Sequence, residues 1–332
     1  MKATVLMADK CSSTSVAATL EFLECANVLN RFANRNVELD PESLKPLFEV
    51  ETASENGEPV SCTGGLLLTP QKSFAEVQDP QLIIVPGFMF NILAVLPSLS
   101  GMVSWLQDQY KNGSYIASMC TGSFVTAQAG LLDGKFATTH WVFADQFRRQ
   151  FPQVKLQTER TVTDDGLIMC SGGSTSGSDL LLHLIRKFAS PQLASECAKN
   201  LLVDTSMRSQ TPYSSTTFKK GHSDAEILKI QIWMEKHISH NIHMESVVEE
   251  FGLSMRNFIR RFKEATDQTP IQYLQNLRIE RAKHLLESSK EPFDRITLHV
   301  GYEDGNSFRR LFKEKVGLTP GAYRKRFETS PN

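Results

Sequence analysis

Phe258-Ile-Arg-Arg-Phe-Lys-Glu-Ala-Thr-Asp-Gln-Thr-Pro-Ile-Gln-Tyr273 returns, fifty residues later, as Phe308-Arg-Arg-Leu-Phe-Lys-Glu-Lys-Val-Gly-Leu-Thr-Pro-Gly-Ala-Tyr323. Eight of the sixteen positions are identical: Phe258/Phe308, Arg260/Arg310, Phe262/Phe312, Lys263/Lys313, Glu264/Glu314, Thr269/Thr319, Pro270/Pro320 and Tyr273/Tyr323. Self-similarity at a fixed period means that one structural unit is written twice. The preceding residues match as well. Each copy follows a short helical pattern (244–251 and 293–300) and a turn containing Gly252 or Gly301. Glycine takes the positive φ that a tight turn needs without steric cost. Ser254 and Asp304 then stand where a helix wants an N-cap.

Within each copy the two phenylalanines are four apart, so they share one helix face and point into a core. Arg256, Asn257 and Arg260 project elsewhere, as do Asn306, Ser307, Arg309 and Arg310. A turned helix pair that buries one face and offers Arg and Asn on the other follows helix-turn-helix logic. Arg can take guanine O6/N7 bidentately, and Asn can do the same for adenine N6/N7. A helical-repeat adaptor with a solvated charged face is the alternative, but solenoids need at least about three repeats.

Around the repeats, residues 223–332 read as all helix, with patterns at 225–236, 244–251, 254–265, 270–286, 293–300 and 307–316. Upstream, 203–222 is polar and rich in turn formers, as an interdomain linker would be. Residues 1–202 alternate short strand-like runs (4–7, 82–85, 115–118, 167–170) with helical ones (16–29, 102–110, 124–129, 142–151, 179–188). That alternation predicts an α/β domain with a parallel sheet covered on both faces.

Composition adds exclusions. With 41% hydrophobic and 22% charged residues the chain reads as an ordinary globular protein. From His222 onward there are 18 Lys+Arg against 16 Asp+Glu. Any DNA contact must therefore come from charges placed on a particular face, not from a basic tail. The six cysteines are scattered without a CxxC pair, which suits reduced thiols in the cytoplasm. No signal-peptide core or membrane-length apolar run is expected. No metal is expected either: His237, His240 and His243 are evenly spaced but straddle an interhelical turn.

Three N-terminal stretches carry possible chemistry. Ile83-Ile-Val-Pro-Gly87 is a buried strand and a turn. Tyr115-Ile-Ala-Ser-Met-Cys120-Thr-Gly-Ser-Phe124 is a strand, a small-residue corner and a helix start, the pattern of a nucleophile elbow. A helix N-terminus there would lower the Cys120 pKa. His140 follows twenty residues on, beside Trp141, whose ring could face a cation. Cys170-Ser-Gly-Gly-Ser-Thr-Ser-Gly177 leads into the helix that holds Asp179, and its N–H groups could receive an anion. Cys120 has three readings: catalytic nucleophile, pocket or redox-sensitive thiol, or inert remnant of the fold.

Residues 225–327 resemble the AraC/XylS-type DNA-binding domain, most closely over Val300-Gly-Tyr-Glu-Asp-Gly-Asn-Ser-Phe-Arg-Arg-Leu-Phe-Lys-Glu-Lys-Val-Gly-Leu-Thr-Pro-Gly-Ala-Tyr-Arg324. Leu298-His299 and Thr266-Asp267-Gln268-Thr269-Pro270 depart from the family's usual Ile/Leu-Ala and Gly-x-Ser/Thr-Pro. Residues 3–200 resemble the PfpI-like (class I glutamine amidotransferase-like) fold, and the pairing resembles GlxA-type regulators. The resemblance implies base reading by Arg256, Asn257 and Arg260, then by Asn306, Ser307 and Arg310. Enzymes of the PfpI-like fold pair the elbow cysteine with an acid from the first β–α loop. Aligning Leu20-Glu21 with that family's first helix puts Ser15 at the acid's position, and Asp9 lies too early in the loop to replace it.

The expectation is a parallel-sheet α/β sandwich (1–202), a linker (203–222) and an all-α domain with two helix-turn-helix units (223–332). It would be a ligand-responsive, sequence-specific transcriptional regulator without cofactor, acting on double-stranded DNA, and a homodimer. It would sense a small, nitrogenous metabolite in a pocket holding Cys120, His140 and Asp179. The rival reading is a cysteine-dependent hydrolase or hydratase.

Overall fold

The computed structural model describes residues 1–33, 45–173, 175–205 and 209–329. The chain divides into two compact units, Met1–Gln210 and Thr211–Asn332.

The strands of the first unit are β1 (Lys2–Leu6), β2 (Glu49–Ser54), β3 (Val60–Ser61), β4 (Leu67–Leu68), β5 (Lys72–Ser73), β6 (Leu82–Val85), β7 (Tyr115–Ser118), β8 (Phe136–Ala137), β9 (Lys155–Leu156), β10 (Val162–Asp165) and β11 (Ile168–Ser171). Seven of them form one sheet in the order β10-β11-β7-β6-β1-β2-β5. All neighbours run parallel except β10, which is antiparallel to β11. Every residue of β6 and β11 is buried, as expected of strands covered on both faces. The helices are α1 (Ser13–Ala33), α2 (Ile92–Val95), α3 (Ser100–Lys111), α4 (Gly122–Gln128), α5 (Ala144–Gln150), α6 (Ser176–Phe188) and α7 (Pro191–Asn200), of which α1, α6 and α7 pack together. From β1 the chain goes to β2 on one side, then returns to β6 on the other. The strand order therefore reverses between β1 and β6, and open α/β sheets bind ligands at the carboxyl ends of such a pair.

The parallel-sheet expectation stands, with two departures. Strand β2 carries Glu49 and Glu51, and its alternation has no apolar face that a sequence pattern would reveal. Glu51 accepts hydrogen bonds from Thr4 on β1 (3.0 Å) and Lys72 on β5 (2.6 Å), so only the neighbouring strands make it a sheet residue. A helical run from Met89 to Lys111 is also long and apolar enough to cross a membrane, contrary to expectation. Its Ile92, Leu96, Leu99, Met102 and Leu106 are buried in the core of this unit.

The second unit holds α8 (Ala225–Lys236), α9 (Met244–Glu250), α10 (Met255–Thr266), α11 (Pro270–Ser288), α12 (Phe293–His299), α13 (Gly305–Val316) and α14 (Pro320–Phe327). Two apolar clusters form, one around Phe258 and Phe262, the other around Phe308 and Phe312. Helix α11 contributes Tyr273 and Leu277 to the first and Ile279, Ala282 and Leu286 to the second. It is the shared spine.

Of the expected linker 203–222, residues 206–208 lie outside the described residues. Gln210 is buried within the first unit (4% exposed). Residues after it pack on the second: Ser214 accepts a hydrogen bond from Lys283 (2.6 Å), and the Thr216 N–H donates to Glu280 (3.1 Å).

Candidate nucleic-acid interface and elbow site

The first helix-turn-helix is α9, the Gly252 turn and α10. Gly252 has φ +64°, the positive value expected of it. Ser254 caps α10 by accepting the Asn257 N–H (3.4 Å). Phe258 and Phe262 are fully buried, with Tyr273 edge-on to Phe262 at 5.2 Å. The opposite face exposes Arg256, Ile259, Arg260 and Lys263. Arg260 lies along the helix, donating to Glu264 (2.9 and 3.0 Å) and to the Asn257 side-chain oxygen (2.9 Å). An exposed i,i+4 pair of this kind is worth about 0.3–0.5 kcal/mol, so a phosphate or base edge can displace it. Arg261 is different. It makes two hydrogen bonds to Asp224 (2.7 and 2.9 Å) and one to Glu226 (2.6 Å), in a partly buried setting that ties α10 to the start of α8.

The second helix-turn-helix is α12, the Gly301 turn and α13. Gly301 has φ +80°, and Asp304 caps α13 by accepting the N–H groups of Asn306 (3.0 Å) and Ser307 (3.1 Å). Phe308 and Phe312 are fully buried. Asn306, Arg309, Arg310 and Lys313 are exposed. Arg309 stacks over Phe293 at 5.2 Å and reaches Asp294 (3.3 Å) and Asn306 (3.2 Å). The structure therefore places Arg256, Arg260, Asn306 and Arg310 on the exposed faces of α10 and α13. Asn257 and Ser307 are half-buried near the helix starts. The sequence reading missed Ile259, because an apolar residue in an amphipathic pattern is assigned to the core by default.

In the first unit Cys120 turns the chain from β7 into α4 with φ +54°, the strained corner of an elbow. Gly122 is required there: a Cβ would stand 2.5 Å from the Pro86 carbonyl oxygen. Gly87 lies between Cys120 and Ser15, since its own Cβ position is 3.2 Å from the Cys120 Cβ and 3.6 Å from the Ser15 Oγ. Ser15 thus occupies the flank of the elbow where the enzymes' acid is expected. Asp9 points away, accepting the Ser61 N–H (2.8 Å). Cys120 is 4% exposed, and burial pushes its thiol up to about 11 despite hydrogen bonds with Thr121. Burial thus opposes the lowering expected from the seven-residue helix that starts beside it.

The Cys120 carbonyl accepts from Ser123 (2.9 Å) and Thr139 (3.3 Å), which brings His140 to the same end of the sheet. His140 faces Gly173, accepts the Val142 N–H (3.2 Å) and is shifted toward its neutral form by burial. The rings of Trp141 (5.8 Å) and Phe143 (6.3 Å) stand beside it, with Phe90 6.0 Å beyond Phe143. Asp179 instead turns to the Thr161 hydroxyl, and burial pushes its carboxyl up to about 6.

The expected anion cradle is largely occupied. The Gly172 N–H donates to Thr161 (2.8 Å), and the Gly173 N–H donates to the Gln210 side chain (3.0 Å); Ser174 lies outside the described residues. The Gln210 amide nitrogen is shared among Thr138, Thr139, Thr158 and Arg160 at 2.9–3.2 Å. Nothing local marks this glutamine in sequence, where it sits inside an apparent linker. Among the described residues, no group of three or more His, Cys, Asp or Glu is arranged to hold a metal ion.

Comparison with known proteins adds the following. The DJ-1/PfpI family model matches residues 1–187, and a helix-turn-helix domain model matches residues 247–326. The HTH-type transcriptional regulator CdhR of Pseudomonas aeruginosa is 28% identical, covering 82% of this chain and 81% of its own. The HTH-type transcriptional regulator GbdR of the same species is 25% identical over 95% of this chain and 82% of its own. Two solved structures share the fold of the first unit. Drosophila melanogaster DJ-1beta is 23% identical, with a TM-score of 0.50, over 61% of this chain and 98% of its own. An AraC family transcriptional regulator from Pseudomonas putida is 21% identical, with a TM-score of 0.50, over 60% and 98%.

Proposed function

We propose that this chain, which belongs to the DJ-1/PfpI family and joins to it the helix-turn-helix domain of an AraC-type transcriptional regulator, is controlled by a small-molecule effector held at the elbow of its first unit. The observation that carries the DNA-reading half is the pair of capped helices, α10 and α13. Each buries two phenylalanines and turns arginines to solvent. Arg256, Arg260 and Arg310 reach base edges, with Asn257, Asn306 and Ser307 completing the two reading surfaces, while Lys263 and Lys313 meet phosphates.

The effector half rests on the elbow, where Cys120 and His140 stand at one end of the sheet. Burial favours the protonated thiol and, among the described residues, no carboxylate stands beside it, so we read it as part of a pocket wall and not as a nucleophile. Burial favours the neutral form of His140, and Trp141, Phe143 and Phe90 form an aromatic rim that suits a cationic nitrogen compound. Asp179, with its raised pKa, stands in the first turn of α6. The protein would act in the cytoplasm, as a homodimer formed through its first unit.

The test uses the full chain and a duplex selected from random DNA, titrated across a salt series. Arg260→Ala and Arg310→Ala should each cost about 1–3 kcal/mol and relax preference at one base position. Lys263→Ala should weaken all sequences alike and reduce the salt slope by about one. Unchanged affinity in both arginine variants would remove these helices from the groove. Hydrolase or hydratase turnover that Cys120→Ser abolishes would replace the pocket reading with the enzyme reading.

A further inference from the structure

At one of the exposed positions where the two recognition helices differ, a charged residue in one is apolar in the other. Where α13 carries Arg309, α10 carries Ile259, 42% exposed and outside the apolar cluster of its own unit. Arg256 lies three residues before it, Arg260 next to it and Lys263 four residues after it, all exposed, so the isoleucine stands amid a cationic face. A single exposed apolar residue needs no explanation on an ordinary surface. Here the surroundings give it one. A β-branched residue at an exposed helix position costs helix propensity, and Ile259 recovers none of that cost by packing in its own core.

The face it occupies is the one read above as entering the major groove, and this inference rests on that reading. The groove floor displays donors and acceptors plus a single apolar group, the C5-methyl of thymine. A stiff branched side chain has little rotamer freedom to lose on meeting it. We infer that Ile259 reads a thymine methyl. The half-site under α10 then requires thymine at one position, and the half-site under α13, where Arg309 takes the equivalent place, does not. Arg256, Arg260 and Lys263 supply the attraction that brings the isoleucine down to the base.

The experiment uses the full chain and the selected duplex. Each thymine is replaced in turn by deoxyuridine, which removes only the methyl group. For the wild type, one replacement under α10 should weaken binding about fourfold, the worth of one buried methyl. Cytosine with a 5-methyl group at that position should bind more tightly than plain cytosine. Ile259→Ala should bind the thymine and uracil duplexes equally, both near the wild type's affinity for uracil. Ile259→Val should keep a reduced preference, which separates methyl contact from loss of the helix.

Equal binding of thymine and uracil duplexes by the wild type at every position overturns the proposal and leaves the DNA-reading assignment standing. A uracil penalty that persists in Ile259→Ala also overturns it, because another residue then reads the methyl. If the full chain selects no sequence at all, the DNA-reading assignment fails and this inference fails with it.

Discussion

The two helix-turn-helix units share eight of sixteen signature positions, yet they are held together by different physics. In the first, a charged anchor supplements the apolar cluster. Arg261 fastens α10 to Asp224 and Glu226, while in the second unit the same position is Leu311, packed against the apolar cluster. The turn glycines also differ. Around Gly252 a Cβ would meet nothing within 4 Å, whereas around Gly301 it would stand 2.5 Å from the Ile238 carbonyl oxygen and 2.7 Å from the Arg278 guanidinium. Arg278 is buried there, donating to the His240 carbonyl (2.8 Å) and stacking over Tyr302 at 4.9 Å. Repeated sequence therefore sets a repeated backbone, but each copy is locked by its own neighbours.

The sharpest way to break this comparison is at the turns. Gly301→Ala adds a steric clash to a strained φ and should cost about 2–5 kcal/mol. Gly252→Ala meets only the strained φ and should cost about 1–2 kcal/mol. Denaturant titration of the full chain, following the helical signal, measures both. Equal losses would mean that the crowding around Gly301 relaxes away.

A smaller effect is expected at the anchor that the first unit alone possesses. Arg261→Gln should cost about 1–3 kcal/mol, the range for charged hydrogen bonds lost in a partly buried place. The pH dependence follows from Asp224, whose carboxyl the Arg261 hydrogen bonds hold down to about 2. Its folded pKa lies below its unfolded value, so its contribution is present above about pH 4 and is lost as pH falls toward 2. Arg261→Gln should remove that part of the acid sensitivity. Unaltered acid unfolding in the variant would show that Asp224 is held by something else.

The smallest effect lies at the helix ends. α10 closes on Asp267 at φ +62°, where α13 closes on Gly317 at φ +76°. Asp267→Gly should make the first copy resemble the second and stabilise by about 0.5–1 kcal/mol, because glycine has no Cβ to strain in that conformation. A loss of stability would assign more weight to the Lys219–Asp267 ion pair (3.2 Å) than an exposed pair ordinarily has.

Much of this architecture was legible beforehand. Helices α8, α9, α10, α12 and α13 were readable because caps, turn glycines and phenylalanine spacing act within one or two helical turns. The elbow was readable for the same reason, since strand, corner and helix start are consecutive. Strands β2, β5 and β10 were not. β5 and β10 are short and polar, β2 interleaves Glu49 and Glu51 with apolar residues, and all three become strands only because a neighbour completes their hydrogen bonds.

The amino-acid order alone determined the repeat, its turned helix pairs, the buried phenylalanine faces and the strand–Cys120–helix corner. Each rests on φ/ψ limits and side-chain spacing among residues a few positions apart. Tertiary structure decided the rest. It buried the Cys120 thiol, separated the anchoring Arg261 from the exposed Arg260, left Ile259 in solvent and drew Gln210 out of the apparent linker into the loops beside His140. Those outcomes depend on desolvation and on partners far along the chain: Asp224 is 37 residues from Arg261, and Thr139 is 71 from Gln210. Burial and long-range pairing are properties of the packed molecule, and no local pattern encodes them.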